Sequence, residues 1–339
     1  MKERFVACLM GGAMGDALGY TVEFMDMGQI QSWFGPMGIT ELQLESKSQK
    51  AVISDDTQMT LFTLDGLIWA HTLSTPYLSG LYPSYLRWLY TQTGNTAHPE
   101  VLDLQAHEQN GSILQKQALF VRRAPGVTCL NALRGGTMGT MAEPVNNSKG
   151  CGGVMRVSPI GLFLHNDPSY AFRIAAEAAA ITHGHPTGYL AAGAFAAMIA
   201  FLLNSASLLE ASSEVQRLLR RYPGHEETTA AILKACELAE SGTASEHAIR
   251  MLGLGWTAEE ALSIGLYCAL KARSFARALI MAVNHDGDSD STGAICGSIL
   301  GIMGNDLPAN WEGKLEFAAY ITERAQGLAR ARTQPFYQS

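Results

Sequence analysis

Charged residues are scarce in this sequence, and the basic ones form no cluster. Asp, Glu, Lys and Arg make up 16% of the 339 residues, against roughly 25% in an average soluble domain. The formal net charge is −7, and Lys and Arg never occur in runs longer than two. Because nucleic-acid binding needs a basic surface, this composition excludes nucleic acid as a partner. The 47% of apolar residues is enough to bury a sizeable core.

Closely spaced cysteines and long apolar runs are also missing. The six cysteines contain no CxxC pair, which excludes a cysteine zinc site or a disulfide framework and indicates a reducing compartment. The uncharged stretch 188–203 is shorter than the roughly 20 residues of a membrane span, and its Ala and Gly content predicts a buried helix. The apolar part of residues 1–19 is too short for a signal-peptide core. We therefore expect a cytoplasmic protein with no membrane partner.

Strand-like patterns are rare, since only residues 38–44 resemble a β-strand. No linker, charge block or internal repeat divides the chain. Asp167-Pro168 predicts a helix N-cap, and Thr257 with Glu260 predicts a capping box. The sequence therefore predicts a single compact all-α domain over residues 1–339, with many orthogonally packed helices. Helical spacing of apolar residues is found over residues 3–11, 57–71, 168–182, 187–203, 226–240, 258–269, 274–283 and 293–303.

Glycine, at 34 of 339 residues, exceeds its usual share of about 7%. In a helical protein this excess indicates turns, close packing or backbone that approaches a ligand. Polar, glycine-rich segments occur between the predicted helices, where loops commonly carry the chemistry. These segments are residues 15–23, 54–60, 146–158 and 284–297.

The first acidic motif, Ser54-Asp55-Asp56, opens an amphipathic helix. Its simplest interpretation is a helix N-cap, in which Ser54 caps and the two aspartates favour the positive helix end. Adjacent carboxylates and a hydroxyl are also the ligands that hard cations such as Mg²⁺ prefer. This motif alone leaves both interpretations open.

The second acidic motif places Asp286, Asp288 and Asp290 at alternate positions. It is not a calcium EF-hand, because Ser291 stands where that loop needs glycine and Gly297 where it needs glutamate. A solvated turn remains the alternative. Together the two motifs supply enough oxygen ligands for a binuclear Mg²⁺ or Mn²⁺ centre, provided that they meet in space.

The segment 147–156 is rich in glycine but is neither a Walker loop nor preceded by a strand. Its glycines expose backbone N–H groups that suit a phosphate, although a plain tight turn is equally compatible with the pattern. His183 and His185 end one predicted helix and precede the next, so each is interpretable as a capping residue or a ligand. A catalytic pair of Cys151 with His183 lacks any third partner in the sequence.

These segments, taken together and in order, resemble the ADP-ribosylglycohydrolase family of all-helical, dimagnesium hydrolases. The resemblance implies a dimetal cleft formed by interhelical loops, with two Mg²⁺ ions, or Mn²⁺ in their place. Serine replaces the commoner threonine at Ser54 and Ser291, and each keeps a ligand oxygen. The matching segments are residues 11–24, 54–59, 148–161, 182–186 and 287–297.

The resemblance also implies roles for individual residues. Glu23, Asp55 and Asp290 are the implied catalytic residues. Asp16 has a structural alternative to a role in the site, which is to hold the turn at residues 15–19 by hydrogen bonds. The segment 95–110, which matches nothing in the family pattern, is expected to help select the acceptor. The implied metal ligands are Ser54, Asp55, Asp56, Asp288, Asp290 and Ser291. The implied substrate-binding residues are Glu23, Gly150, Cys151, Gly152, Gly153, Val154, Met155 and His183.

The function implied is metal-dependent hydrolysis of the N-glycosidic bond between ADP-ribose and a modified protein side chain, with arginine as the expected acceptor. The partners are then the ADP-ribosylated protein and ADP-ribose, and a cognate ADP-ribosyltransferase or toxin is a further expectation. One alternative is a binding or toxin-neutralising protein that acts by occlusion. Another is a hydrolase of ADP-ribosyl-serine or O-acetyl-ADP-ribose.

Overall fold

The computed structural model describes residues 1–102, 113–271, 273–304 and 306–333. Within these ranges the chain forms sixteen α-helices and no β-strand, which confirms the predicted all-α class. The helices are α1 (Lys2–Tyr20), α2 (Met27–Phe34), α3 (Asp55–Thr72), α4 (Tyr77–Thr93), α5 (Val127–Arg134), α6 (Ser158–Phe163), α7 (Pro168–Ala180), α8 (Pro186–Leu203), α9 (Leu208–Leu219), α10 (Glu226–Glu240), α11 (Ser245–Leu252), α12 (Ala258–Lys271), α13 (Phe275–Val283), α14 (Ser289–Ile302), α15 (Ala309–Glu312) and α16 (Ala318–Ala331).

The eight predicted helices are all present, and α10 has the predicted bounds. Helix α1 continues nine residues past its predicted end, through glycine-rich sequence that resembles loop. Helix α14 begins four residues before its predicted start, in the polar run 289–292. The sequence did not predict the other eight helices, which are α2, α4, α5, α6, α9, α11, α15 and α16. Among them, α4 continues through Pro83, a residue that usually ends a helix. Tertiary packing therefore overrides local propensity in these cases.

The glycines of α1 and α14 allow the two helices to pack backbone against backbone. A Cβ atom on Gly15 would lie 2.0 Å from the carbonyl oxygen of Gly293, and one on Gly297 would lie 2.0 Å from that of Gly11. Neither position admits a side chain without separating the helices. This contact fixes the end of α1 against the start of α14, where the second acidic motif lies.

Replacing Gly15 with alanine is expected to lower the free energy of unfolding by about 2–3 kcal/mol, because overpacking at a rigid contact forces backbone to move. Chemical denaturation measures the change. Gly242→Ala is the matched control, since nothing lies within 4 Å of the Cβ position at Gly242. Equal stability of the two variants would contradict the role assigned to this contact.

Helix α8 contains the long apolar stretch of the sequence. By length and composition it is able to cross a membrane, but 89% of its 18 residues are buried inside the protein. It packs against α7 and α6 among other helices. The prediction of a helix buried among helices is confirmed.

Two local predictions are wrong. Residues 38–44 form no strand, because the side-chain amide of Asn284 takes the place of a neighbouring strand: it accepts from the backbone N–H of Ile39 and donates to its carbonyl oxygen, both at 2.8 Å. The capping box before α12 is also absent. The hydroxyl of Thr257 has no hydrogen-bond partner, and the Glu260 carboxylate instead accepts from the backbone N–H of Leu254 at 3.2 Å.

Candidate active site

The first acidic motif lies at the N-terminus of α3. Ser54 is the N-cap, and its hydroxyl accepts from the backbone N–H of Asp56 at 3.1 Å. The Asp16 carboxylate, which projects from α1, accepts from the backbone N–H groups of Ser54 at 2.9 Å and Thr57 at 3.0 Å. Asp16 therefore holds the start of α3 and not a turn of its own. The capping interpretation of Ser54 is confirmed, and the cap does not use the carboxylates of Asp55 and Asp56.

The second acidic motif lies at the N-terminus of α14. Asp288 is the N-cap, and its Oδ1 accepts from the backbone N–H of Ser291 at 3.2 Å. Asp290 is in the first turn and also accepts from that N–H, at 2.9 Å. Asp286 is directed elsewhere, because its Oδ1 accepts from the backbone N–H of Met27 at 2.6 Å. Both acidic motifs are thus first turns of helices. This was predicted for Ser54-Asp55-Asp56, whereas the second motif was predicted to lie in an interhelical loop.

The two motifs meet although more than 230 residues separate them in the sequence. Asp55, Asp56 and Asp290 are buried, and each offers a carboxylate oxygen within 4.8 Å of the other two. Burial and the charges of neighbouring carboxylates raise the pKa of each of the three well above its ordinary value. The same causes raise the pKa of Asp16 to about 7.

The arrangement fits a divalent cation. In the described part of the chain, no lysine or arginine forms an ion pair with these three aspartates. Asp56 Oδ2 is buried without any hydrogen-bond partner. Buried carboxylates are normally paired or coordinate a metal, and a set of oxygen ligands is what Mg²⁺ and Mn²⁺ prefer.

Glu23 lies just beyond the end of α1 and borders the same cluster. Its Oε2 is buried without a hydrogen-bond partner. Burial, followed by the charges of Asp290, Asp288 and Asp55, raises the pKa of Glu23 to about 10. A second unpartnered carboxylate oxygen is therefore directed at the acidic cluster.

The acidic cluster forms one end of a cleft of about 390 Å³. Ser54, Gly153 and Val154 do not line this cleft, because Ser54 is enclosed by α1 and α3 and Val154 is fully buried. The described residues of segment 95–110 do not line it either, and residues 103–110 lie outside the described residues. The predicted site residues that do line the cleft are Glu23, Asp55, Asp56, Gly150, Cys151, Gly152, Met155, His183, Asp288, Asp290 and Ser291.

The glycine-rich segment forms the wall of the cleft next to the acidic cluster. Cys151–Gly153 make a short 3₁₀ turn, and the thiol of Cys151 donates to Asp288 Oδ2 at 2.7 Å. Burial and the charge of Asp288 raise the pKa of Cys151 well above its ordinary value. Because the thiolate is the nucleophile, this environment argues against catalysis by Cys151.

Three parts of the cleft were not predicted from the sequence. The segment before α5 closes one side, and the backbone N–H of Gly126 donates to Asp55 Oδ2 at 3.0 Å. The aromatic rings of Phe24 and Trp256 stack at the cleft with centroids 6.0 Å apart. The Trp256 carbonyl accepts from the backbone N–H of Cys151 at 3.1 Å. Of these residues, only Phe24 could have been found from the sequence, because it follows Glu23 in the matching segment 11–24.

Comparisons with known proteins identify the family to which the chain belongs. The family model described as ADP-ribosylglycohydrolase matches residues 1–337. An uncharacterized protein of Archaeoglobus fulgidus is 29% identical over 97% of this chain and 96% of its own length. The ADP-ribosyl-[dinitrogen reductase] glycohydrolase of Rhodospirillum rubrum is 25% identical over 93% of this chain and 91% of its own length.

Two further similarities extend over most of the chain. The ADP-ribosylarginine hydrolase of Pseudomonas putida is 23% identical over 96% of this chain and 78% of its own length. A solved structure titled ADP-ribosylglycohydrolase-related protein complex has the same fold, with a TM-score of 0.64, 21% identity, and coverage of 98% of this chain and 99% of that chain. The match of the family model over nearly the whole chain shows that this protein belongs to the ADP-ribosylglycohydrolase family, whose members remove ADP-ribose from modified substrates.

Proposed function

We propose that this protein is a metal-dependent hydrolase that removes ADP-ribose from modified arginine side chains of proteins. The observation that carries the proposal is the cluster of buried carboxylates without counter-ions at one end of a ligand-sized cleft. Such a cluster is unstable by itself and becomes favourable when a cation binds. A structural role alone would not need it to open into a cleft.

The residues that would hold the cations are those of the two helix starts. We infer two Mg²⁺ ions, or Mn²⁺, held by Asp55, Asp56, Asp288, Asp290 and the Ser291 hydroxyl. Ser54 is assigned less directly, because its hydroxyl already caps α3. When bound, divalent cations would supply charge neutralisation and Lewis acidity for sugar hydroxyls and water.

The protein's own groups then bind ADP-ribose and move a proton. The backbone of Gly150 and Gly152 faces the cleft and suits the diphosphate, whereas the buried Gly153 and Val154 act by shaping this turn. Glu23 is the group we assign as general base. Its pKa is held high by the charges of Asp290, Asp288 and Asp55, so neutralising those charges lowers it and frees the carboxylate to accept a proton.

Water activated in this way attacks the anomeric carbon of the ribose, and the bond to the arginine guanidine breaks. The proton removed from water passes to Glu23. The guanidine leaves through an oxocarbenium-like state and takes up that proton as the arginine side chain is released.

Arginine as the acceptor is supported by the similarity to the ADP-ribosylarginine hydrolase of Pseudomonas putida. The other partners we propose are free ADP-ribose as product and a cognate ADP-ribosyltransferase or toxin that makes the substrate. We also propose that the chain acts as a single domain in the cytoplasm. The two hydrolysis alternatives, ADP-ribosyl-serine and O-acetyl-ADP-ribose, differ only in the acceptor.

The test is an assay of ADP-ribose release from arginine-ADP-ribosylated protein, serine-ADP-ribosylated protein and O-acetyl-ADP-ribose, each with Mg²⁺ and with EDTA. We expect release from the arginine substrate in Mg²⁺ and none in EDTA. Release from the serine substrate alone, or from O-acetyl-ADP-ribose alone, would show that arginine is not the acceptor. Binding of ADP-ribose without release from any substrate would favour the occlusion alternative.

The Glu23→Gln variant is expected to lower kcat by about 10²–10⁴, the usual contribution of a general base. ADP-ribose affinity, measured by calorimetry in Mg²⁺, should change little because the amide keeps the shape and one acceptor oxygen. The variant Gln29→Glu provides a control, since residue 29 lies in α2 outside the cleft lining. A Glu23→Gln variant with unchanged kcat would assign the base to one of the aspartates.

A further inference from the structure

Arg156 is fully buried next to the cleft wall and forms no ion pair within the described residues. Its Nη2 donates to the carbonyl oxygen of Ala178 at 3.1 Å and to Thr182 Oγ1 at 2.8 Å. Its guanidinium lies 4.2 Å from the centre of the Tyr85 ring. A buried guanidinium without a carboxylate is costly, and full burial prevents it from touching the substrate. Its effect on the site must pass through its neighbours.

Thr182 is the neighbour that connects Arg156 to the cleft. A guanidinium donates hydrogen bonds and accepts none, so the Thr182 oxygen is the acceptor and its own proton remains available. The Nδ1 atom of His183 lies 2.8 Å away. Two weaker acceptors are in reach of this hydroxyl. The Ala179 carbonyl is 3.4 Å away and already accepts from the backbone N–H groups of Thr182 at 3.1 Å and His183 at 2.9 Å, and the sulfur of Cys129 is a poor hydrogen-bond acceptor. The hydroxyl proton therefore goes to Nδ1.

We propose that Arg156 and Thr182 are positioning residues that hold His183 in the tautomer with its proton on Nε2, so that the ring presents a hydrogen-bond donor to an oxygen of ADP-ribose. This inference rests on the proposed function for the identity of the ligand. A neutral imidazole that accepts at Nδ1 carries its only proton on Nε2. The opposite tautomer would turn a lone pair toward the same oxygen.

The surroundings of His183 agree with this role. His183 lines the cleft, and no described residue forms a hydrogen bond with its Nε2. Nε2 faces the glycine-rich wall, since a Cβ atom on Gly150 or Gly152 would lie 3.5 or 3.3 Å from it. Burial and the charge of Arg156 lower the pKa of His183 to about 3. The ring is therefore neutral near pH 7, where the choice of tautomer decides what it offers.

The tautomer is measured directly by long-range ¹H–¹⁵N NMR of the full chain labelled with ¹⁵N-histidine. The signals of His183 are assigned by their loss in His183→Gln. We expect an unprotonated Nδ1 and a protonated Nε2 in the unaltered protein at pH 7. A proton on Nδ1 would overturn the proposal, and this measurement needs no variant at Arg156 or Thr182.

Thr182→Val removes the hydroxyl at nearly constant volume. We expect it to populate the Nδ1–H tautomer and to weaken ADP-ribose binding about tenfold, the loss expected for one hydrogen bond that turns into a repulsive contact. Thr182→Ser keeps the hydroxyl and should retain both the Nε2–H tautomer and the ADP-ribose affinity of the unaltered protein. Thr187→Val is the matched control, because Thr187 is also buried and its hydroxyl donates to Glu227, 2.8 Å away.

Either of two results would overturn the proposal: an unchanged tautomer in Thr182→Val, or an equal loss of affinity in the Thr187 control. Neither measurement requires turnover. A protein that shows the expected tautomer and binds ADP-ribose, yet releases none from any substrate, would therefore contradict only the proposed function.

Discussion

The Asp290→Asn variant is expected to lose hydrolytic activity by about a thousandfold or more. Asp290 is the carboxylate that joins the start of α14 to the start of α3. After burial, the charge of Asp290 makes the largest contribution to the raised pKa of Asp55, Asp56 and Glu23. Lewis-acid catalysis contributes several kcal/mol, and each 1.4 kcal/mol of barrier is about a factor of ten in rate. Initial rates of ADP-ribose release at saturating Mg²⁺ measure the loss.

Asparagine is chosen because it preserves the local structure. Its oxygen still accepts the bond that the backbone N–H of Ser291 makes at 2.9 Å. Asp286→Asn is the control from the same segment, since Asp286 accepts from the backbone N–H of Met27 and does not line the cleft. The control should retain at least half of the activity. Full activity in Asp290→Asn would contradict the assignment of the cluster as the active site.

Divalent cations are expected to stabilise the protein against unfolding, and increasingly so as the pH rises. In the cation-free protein the carboxyl pKa values are raised, to about 7 for Asp16 and about 10 for Glu23, from ordinary values near 4. Between pH 4 and 7 the folded state therefore holds protons that the unfolded chain has released. The folded state binds more protons, so these groups lower the free energy of unfolding as the pH rises.

Cation binding displaces the protons that the folded state retains, and so prevents this decrease in the free energy of unfolding. At 100 times the dissociation constant a cation adds about 2.7 kcal/mol, and each displaced proton adds about 1.4 kcal/mol per pH unit. We compare the Tm in about 10 mM Mg²⁺ with the Tm in EDTA. We expect the difference between the two Tm values to grow by roughly 2–4 °C per pH unit. Scans at several pH values between 5.5 and 7.5, approximately the window set by Asp16, measure it.

Ionic strength provides the control for this experiment. NaCl at matched ionic strength screens surface charges but does not coordinate the buried aspartates. The Asp290→Asn variant should also show a smaller Mg²⁺ effect. Equal stabilisation by NaCl and MgCl₂, or a Mg²⁺ effect that does not change with pH, would show that the cluster does not bind the cation.

The helical class and the two acidic motifs followed from the sequence because they depend on local chemistry. Apolar spacing along α10 and the Asp167-Pro168 start of α7 act within one helix, and the structure has them as predicted. Residues 15–20 and 289–292 resemble loops by the same local rules. They are helical because Gly15, Gly19 and Gly293 allow α1 and α14 to pack backbone against backbone, and only the packed structure reveals that requirement.

Local sequence specifies the available oxygen-bearing side chains: a capped pair of aspartates at one helix start and alternating aspartates more than 230 residues later. Helix packing brings Asp55, Asp56 and Asp290 into one buried site, excludes Asp286 from it and makes Asp16 a support of α3. Packing also creates the link from Arg156 through Thr182 to His183. The physical reason is that helix starts follow from neighbouring residues, whereas burial, the loss of counter-ions and the direction of a proton depend on which distant helices pack together.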